Sequence, residues 1–115
     1  MEQFFKEISQ KIQIYVGKEV ETDPYEHSVM VVLYNPISIS AIVTDLIASQ
    51  IQWKMPGIRT SRAKEVIIED KYENLFLMSQ KITIDNVDYQ GWRDNGKIQY
   101  RNEGSFIRFY VYSRD

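Results

Sequence analysis

Residues 81–112 decide the fold, and they read KITIDNVDYQGWRDNGKIQYRNEGSFIRFYVY. Three turn-forming clusters interrupt this stretch: Asp85-Asn86, Asp94-Asn95-Gly96 and Glu103-Gly104-Ser105. Clusters of this kind between β-prone runs are typical of hairpins. The pattern predicts strands near 81–85, 87–93, 97–101 and 106–113. Such closely spaced antiparallel strands favour a small barrel or sandwich, because closing the sheet removes exposed edges.

The central part of the chain adds further strands and little helix. The β-prone run from Val29 to Tyr34 ends at Asn35-Pro36, a strong turn signal, and predicts one strand. Residues 37–46 predict a second strand that leads into one or two helical turns near 47–53. A further strand is predicted over 65–72, followed by a short helical turn at 74–79.

The amino-terminal residues show a different periodicity. Phe4, Ile8 and Ile12 recur every four residues and Tyr15 follows, which is typical of a helix with one apolar face. We therefore predict an N-terminal α-helix over 1–17. Residues 18–27 are rich in acids and predict a loop.

The complete prediction is a mainly β protein in a single domain, 1–115. It comprises the N-terminal helix, a small antiparallel β-barrel or sandwich over 28–115, and one or two short helical turns. A chain of 115 residues suits one such domain.

Composition excludes several classes of protein. With 43% hydrophobic and 26% charged residues the chain is expected to fold, and no apolar run approaches the roughly 20 residues of a membrane span. The absence of cysteine excludes disulfides, thiolate metal sites and a cysteine nucleophile. The first residues lack the basic segment of a signal peptide, so we expect synthesis in a cytoplasm. A net charge of −2 argues against bulk electrostatic capture of nucleic acid.

The segment Trp53 to Lys64 is the one basic loop in this prediction. Pro56-Gly57 interrupts regular structure there, and the segment holds four cations and no acid. These candidate phosphate contacts are Lys54, Arg59, Arg62 and Lys64. Each would release counterions from a duplex on binding. The alternative is a solvated loop that pairs with the acidic stretches 19–26 and 65–73 of the same or another copy.

Residues that suggest catalysis are sparse. His27 is the only histidine, and no serine has the context of a nucleophile elbow. Zinc sites need three or four Cys or His ligands. Asp85, Asp88 and Asp94 lack the spacing of a calcium loop and are interpreted as turn formers. None of these residues therefore indicates a metal or a cofactor.

Two weaker alternatives remain open. An apolar strand ending in Glu69 and Lys71 resembles the end of a strand in Mg²⁺-dependent nucleases, with Asp45 as a second metal ligand, although this short and common pattern is better explained by a strand end whose charges face solvent. The second alternative is that aromatic residues stack bases, as in an oligonucleotide-binding barrel, against the simpler interpretation that they fill a core or an interface. These residues are Tyr89, Trp92, Tyr100, Tyr110 and Tyr112.

From about residue 28 onward, the order of segments resembles the small neck proteins of long-tailed bacteriophages, the head-closure or head-tail connector family. The segments that carry the resemblance are Tyr34-Asn35-Pro36-Ile37, Ala41-Ile42-Val43-Thr44-Asp45-Leu46, Trp53-Lys54-Met55-Pro56-Gly57, Lys64-Glu65-Val66-Ile67-Ile68-Glu69, Tyr72-Glu73-Asn74-Leu75, Lys81 to Tyr89 and Ile107 to Tyr112. None of them is a catalytic signature.

This resemblance implies a virion structural protein without enzymatic activity or cofactor. Its subunits would form a homo-oligomeric ring in the neck, between portal or adaptor proteins on the head side and tail proteins on the other. Double-stranded DNA would pass through the lumen, and the loop 53–64 would project into it. A tail-completion or tail-terminator ring is the close alternative. A small β-barrel nucleic-acid-binding module is a further alternative.

The first helix and the last strand supply candidate contacts with other subunits. The helix begins with two aromatic residues, and the last strand is largely apolar or aromatic on both faces. The candidate interface residues are Phe4, Phe5, Ile8, Tyr110 and Tyr112.

Overall fold

A computed structural model of the chain describes residues 8–23, 28–33, 35–58 and 62–113. These residues form a mainly β protein with short helices. The strands are β1 (Gln10–Asp23), β2 (Ser28–Leu33), β3 (Ile37–Asp45), β4 (Ala63–Glu69), β5 (Ser79–Ile84), β6 (Val87–Gly91), β7 (Arg93–Asp94), β8 (Lys97–Ile98), β9 (Tyr100–Asn102) and β10 (Phe106–Tyr112). The helical elements are α1 (Ala48–Lys54), a 3-10 turn (Asp70–Tyr72) and α2 (Glu73–Leu77).

Six of the described strands close into an antiparallel barrel. The order around it is β1, β3, β4, β10, β6 and β5, and β5 pairs back onto β1. β9 adds to β10 beside β6. The predicted antiparallel barrel is therefore confirmed.

Three predicted hairpin turns have the expected backbone. Asp85 and Asn86 adopt φ of 51° and 65°, and Asn95 and Gly96 adopt 53° and 78°. Two consecutive positive φ angles define the turn whose twist matches that of the flanking strands. Gly104, at φ 88°, lies in the third turn. The short polar clusters in the sequence thus fix the strand boundaries.

The barrel interior is filled with aliphatic and aromatic side chains. Its residues are Ile12, Ile14, Ile39, Ala41, Val66, Ile68, Phe76, Ile82, Ile84, Tyr89, Ile107, Phe109 and Val111. Phe76 of α2 stacks on Phe109, with ring centroids 3.9 Å apart. α2 therefore contributes a side chain to the barrel core.

The predicted N-terminal helix is wrong from Gln10 onward, where the chain is a strand. Ile12 and Ile14 are fully buried while Lys11 and Gln13 are exposed, which is the period of two of a half-buried strand. The helical spacing from Ile8 to Ile12 competes with this alternation. Strand pairing on both edges, with β3 and β5, decides the outcome. Residues 1–7 lie outside the described part.

The predicted domain boundaries change accordingly. The barrel begins at Gln10 rather than at residue 28, and residues 18–23, predicted as loop, extend β1. Among the strands that the structure describes, β2 pairs with this extension alone, from Gly17 opposite Leu33 to Asp23 opposite Ser28. We call residues 17–23 and 28–33 the arm. The arm lies outside the barrel.

The short helices were predicted correctly, with small shifts. α1 covers Ala48–Lys54 against the predicted 47–53, and α2 covers Glu73–Leu77 against 74–79. Gln50 Oε1 accepts a hydrogen bond from the Ile47 backbone N–H at the start of α1. No helix of the described chain is long and apolar enough to cross a membrane.

The Phe76 and Phe109 stack gives a direct test of the barrel core. Phe76→Ala should lower the free energy of unfolding by about 3–5 kcal/mol, because it removes a fully buried ring and leaves a cavity. Urea unfolding followed by circular dichroism measures the change. The neighbouring Leu77, 38% exposed, is the matched control, and Leu77→Ala should cost much less. Equal losses for the two variants would contradict this packing.

Candidate functional site

α1 packs against the outer wall of the barrel. Ile51 and Met55 are buried in a second core, separate from the barrel interior. The buried residues of this second core are Leu46, Ile51, Met55, Ala63 and Tyr112. The helix and the segment that follows it are thereby held against β4 and β10.

Lys54, the first cation of the predicted loop, is the last residue of α1. Its Nζ lies 3.5 Å from Glu65 Oε2 and 5.1 Å from the centroid of the Tyr110 ring. Glu65 also forms an ion pair with Arg108, whose Nη1 is 2.8 Å from Glu65 Oε1. Lys54 therefore contributes to fixing α1 on the barrel.

Lys64, the last cation of that loop, belongs to β4 and lies opposite Asp45 of β3. The two side chains form a hydrogen-bonded ion pair at one end of the barrel. Partial burial by itself lowers the pKa of Lys64, but the hydrogen bond that Lys64 Nζ donates to Asp45 and the surrounding negative groups outweigh it and raise the pKa. The Lys64 ammonium is therefore stabilised by its neighbours in the barrel.

Arg62 lies at the same barrel end and is exposed. A surface recess of about 430 Å³ opens there, lined by Asp45, Leu46, Arg62, Ala63, Lys64, Val87 and Tyr89. Arg59 lies outside the described residues. The predicted basic loop is therefore divided between a helix end, an intervening segment and a strand.

α1 also presents apolar side chains to solvent, which the sequence analysis did not identify. Trp53 is 85% exposed and Ile47 is 65% exposed. Ile51 and Met55, four residues apart, both point into the second core. Trp53 lies midway between them and hence on the opposite side of the helix. The four-residue spacing of Ile51 and Met55 was the sequence signal that could have predicted an exposed Trp53.

A second recess lies on the outer surface beside β9 and β10. Its volume is about 260 Å³, and its lining comprises Trp92, Gln99, Tyr100, Arg101, Arg108 and Tyr110. The Tyr100 hydroxyl donates to Glu73 at 3.1 Å, and this hydrogen bond raises the pKa of the phenol. Three of the five predicted stacking aromatics thus come together, while Tyr89 and Tyr112 are buried at 5% and 7% exposure.

The candidate interface residues have different environments. Ile8 is 46% exposed, and Tyr110 is half-buried under Lys54. The Tyr112 side chain is enclosed in the second core of its own chain. Phe4 and Phe5 lie outside the described residues.

The residues of the nuclease alternative do not form one site. Asp45 is opposite Lys64, five positions along β4 from Glu69, so the two carboxylates are roughly 17 Å apart along the strand. One metal ion cannot contact both. Lys71 Nζ lies 3.9 Å from Glu69 Oε2 in a surface pair. His27 lies outside the described residues.

Two of the three predicted turn-forming aspartates, Asp85 and Asp88, have hydrogen-bond partners. Asp85 accepts hydrogen bonds from Gln10, and Asp88 accepts one from Thr83 at 2.8 Å. Among the described residues no group of three or more His, Cys, Asp or Glu side chains is placed to hold a metal ion.

Comparison with known proteins adds no relative. No family model, curated protein or solved structure matches this chain.

The raised pKa of Lys64 predicts a loss of stability at alkaline pH. The folded state keeps the Lys64 proton above pH 10.5, where the unfolded chain loses it, so the free energy of unfolding falls as pH rises through the folded-state pKa. Asp45→Asn should reduce this fall. All variants also carry Tyr100→Phe. The raised pKa of Tyr100 would otherwise lower the free energy of unfolding over the same alkaline pH range.

Urea unfolding between pH 8 and pH 11.5, roughly spanning both reference pKa values, measures the effect. Glu69→Gln is the control, because it removes a carboxylate at the other end of β4. An alkaline fall that is identical in the Asp45→Asn and Glu69→Gln variants would contradict the assignment.

Proposed function

We propose that this chain is a structural protein of the virion, a head-closure or head-tail connector subunit. Copies would form a ring in the neck of a long-tailed bacteriophage, joining the DNA-filled capsid to the tail around the passing DNA. A tail-completion or terminator ring is the close alternative. The resemblance of residues 28–112 to this family supports the proposal, and the β-barrel fits it.

The observation that carries the proposal is the position of α1. The barrel interior is filled by its own side chains, so the distinctive groups lie on its outside. There, α1 exposes Ile47 and Trp53 to solvent. Large exposed aromatic side chains are typical anchors of protein interfaces. A surface of this kind suits a protein that acts by holding neighbouring subunits together.

The charged residues divide into two groups under this proposal. Lys54 and Lys64 stabilise the fold through Glu65 and Asp45. Arg62 is exposed at the end of the barrel, and Arg59 precedes it by three residues. Substituting Arg59 and Arg62 therefore tests a role toward DNA without removing either lysine pair.

The double variant Arg59→Gln and Arg62→Gln should fold normally but yield heads that leak DNA or fail to join tails. The physical reason is the loss of two positive charges beside the DNA phosphates. Infectious titre and electron microscopy of particles from the virus that encodes the chain measure the effect. The double variant Lys71→Gln and Lys81→Gln removes the same charge elsewhere and should behave as wild type. Normal titre from the arginine variant would contradict the DNA contact.

The recess beside β9 favours a second candidate, a small barrel that binds single-stranded nucleic acid. Trp92, Tyr100 and Tyr110 line it together with Arg101 and Arg108. Aromatic rings stack on bases, and arginine contributes charge and cation-π contacts. Arg108 is balanced by Glu65 and Glu103, so Arg101 is the cation of this recess that lacks an ion pair within the described residues.

Fluorescence of Trp92 tests this second candidate. In a Trp53→Phe background, Trp92 is the only tryptophan, and bound oligonucleotide should quench it in a salt-sensitive way. Tyr110→Ala should weaken binding about tenfold or more, as expected from stacking of roughly 1–3 kcal/mol per base. Tyr15→Ala, on another face of the barrel, is the control. Fluorescence that does not respond to oligonucleotide at low salt would exclude the candidate.

A further inference from the structure

We propose that the arm is an assembly element that pairs, through the outer edge of β2, with strand β9 of a second copy of this chain. The proposal names the contact between subunits of the proposed ring and rests on that part of the proposed function. It does not depend on the DNA contact.

The arm leaves the barrel as a two-stranded extension. β1 pairs with β3 and β5 as far as Val16, and from Gly17 onward it pairs only with β2. Seven residues at roughly 3.3 Å each make the arm about 23 Å long. Within the described residues, neither outer edge of the arm meets another strand. A lone two-stranded hairpin is marginally stable in water, so a third strand would stabilise it.

The sequence of β2 lacks the charges and prolines that normally prevent strand edges from pairing. This sequence, SVMVVL over Ser28–Leu33, contains no charge, no proline and no glycine, and four of its six residues are valine or leucine. Natural proteins protect exposed edges with charges, proline, bulges or covering elements. An unprotected strand of high β propensity is suited to adding to another sheet.

β9 offers a matching edge on the barrel. Tyr100–Asn102 pairs with β10 on one side, and no described strand pairs on its other side. All three residues are exposed. A strand added there would extend the sheet formed by β4, β10 and β9.

Charge favours this pairing over contact between two arms. The β1 part of the arm carries Glu19, Glu21 and Asp23 against Lys18 alone, so two arms would repel each other. The region from β7 to β9 carries Arg93, Lys97 and Arg101 against Asp94. Neither Lys97 nor Arg101 has an ion-pair partner among the described residues, so both can attract the arm of another copy.

The arm and its acceptor lie on opposite sides of the subunit. In the six-stranded barrel β10 is three strands from β1 in both directions, and β9 attaches to β10. A contact between two different surfaces on opposite sides of one subunit is head-to-tail, and repetition of such a contact closes a ring when the rotation permits. The arm therefore provides the kind of interface that a ring requires.

Engineered cysteines test the contact directly, because the chain has none of its own. Protein carrying Val31→Cys is mixed with protein carrying Arg101→Cys and oxidised, at concentrations up to millimolar. Val29→Cys and Val32→Cys in place of Val31→Cys cover a shift of register. We expect about tenfold more mixed disulfide dimer than with Ser38→Cys, an exposed control on β3, because pairing raises the effective concentration of the two thiols.

Removing the arm is the second test. Replacing residues 18–32 by a two-residue Asn-Gly turn keeps every barrel strand, so the unfolding transition should persist while the ring in assembled particles is lost. The arm contact is overturned if all three arm cysteines give no more mixed disulfide dimer than the Ser38→Cys control. Normal rings in particles built from the armless protein also overturn it, although the proposed function then stands. The mixed dimer in solution, together with necks that contain no ring of this protein, supports the arm contact and overturns the proposed function.

Discussion

Hydrogen bonding of β1 to two neighbours is the constraint on which the remaining structure depends. Residues 10–14 pair with β3 along one edge and residues 13–16 pair with β5 along the other, and this double pairing closes the barrel. Without it, β3 and β5 would each expose an edge, and Ile12 and Ile14 would leave the interior. The filled core, the outer position of α1 and the origin of the arm all follow from this closure.

A second set of interactions gives the outer surface its form. Glu65 is largely buried and forms ion pairs with both Lys54 and Arg108, so it joins α1 to β4 and β10. At the barrel end, Asp45 of β3 forms an ion pair with Lys64 of β4. Lys54 and Lys64, which the sequence analysis offered as phosphate contacts, thus have structural roles. The groups that remain for partners are the exposed side of α1 and the edges of the arm and β9.

The extent to which the sequence predicted these features depends on how local each one is. The hairpin turns at Asp85-Asn86 and Asn95-Gly96 were predicted because positive φ angles demand a few residue types. The strand at Gln10 was missed because two competing periodicities overlap there and pairing between distant segments decides between them. The same applies to the site. The sequence offered a pairing between the basic loop and residues 65–73, which Lys54 and Glu65 form, but no local pattern reveals that Asp45 lies next to Lys64. The four-residue spacing of Ile51 and Met55, in contrast, predicts that Trp53 faces solvent.

Because β1 runs unbroken from the barrel seam into the arm, the two are mechanically continuous. A pull on the arm along its length would load the hydrogen bonds between β1 and its neighbours β3 and β5 in shear, so that many bonds share the force. A pull across the strand would instead open them one after another. If the chain forms the ring proposed above, that ring would be held most firmly when neighbouring subunits lean along the direction of β1, and subunit geometry would set the force at which the contact fails.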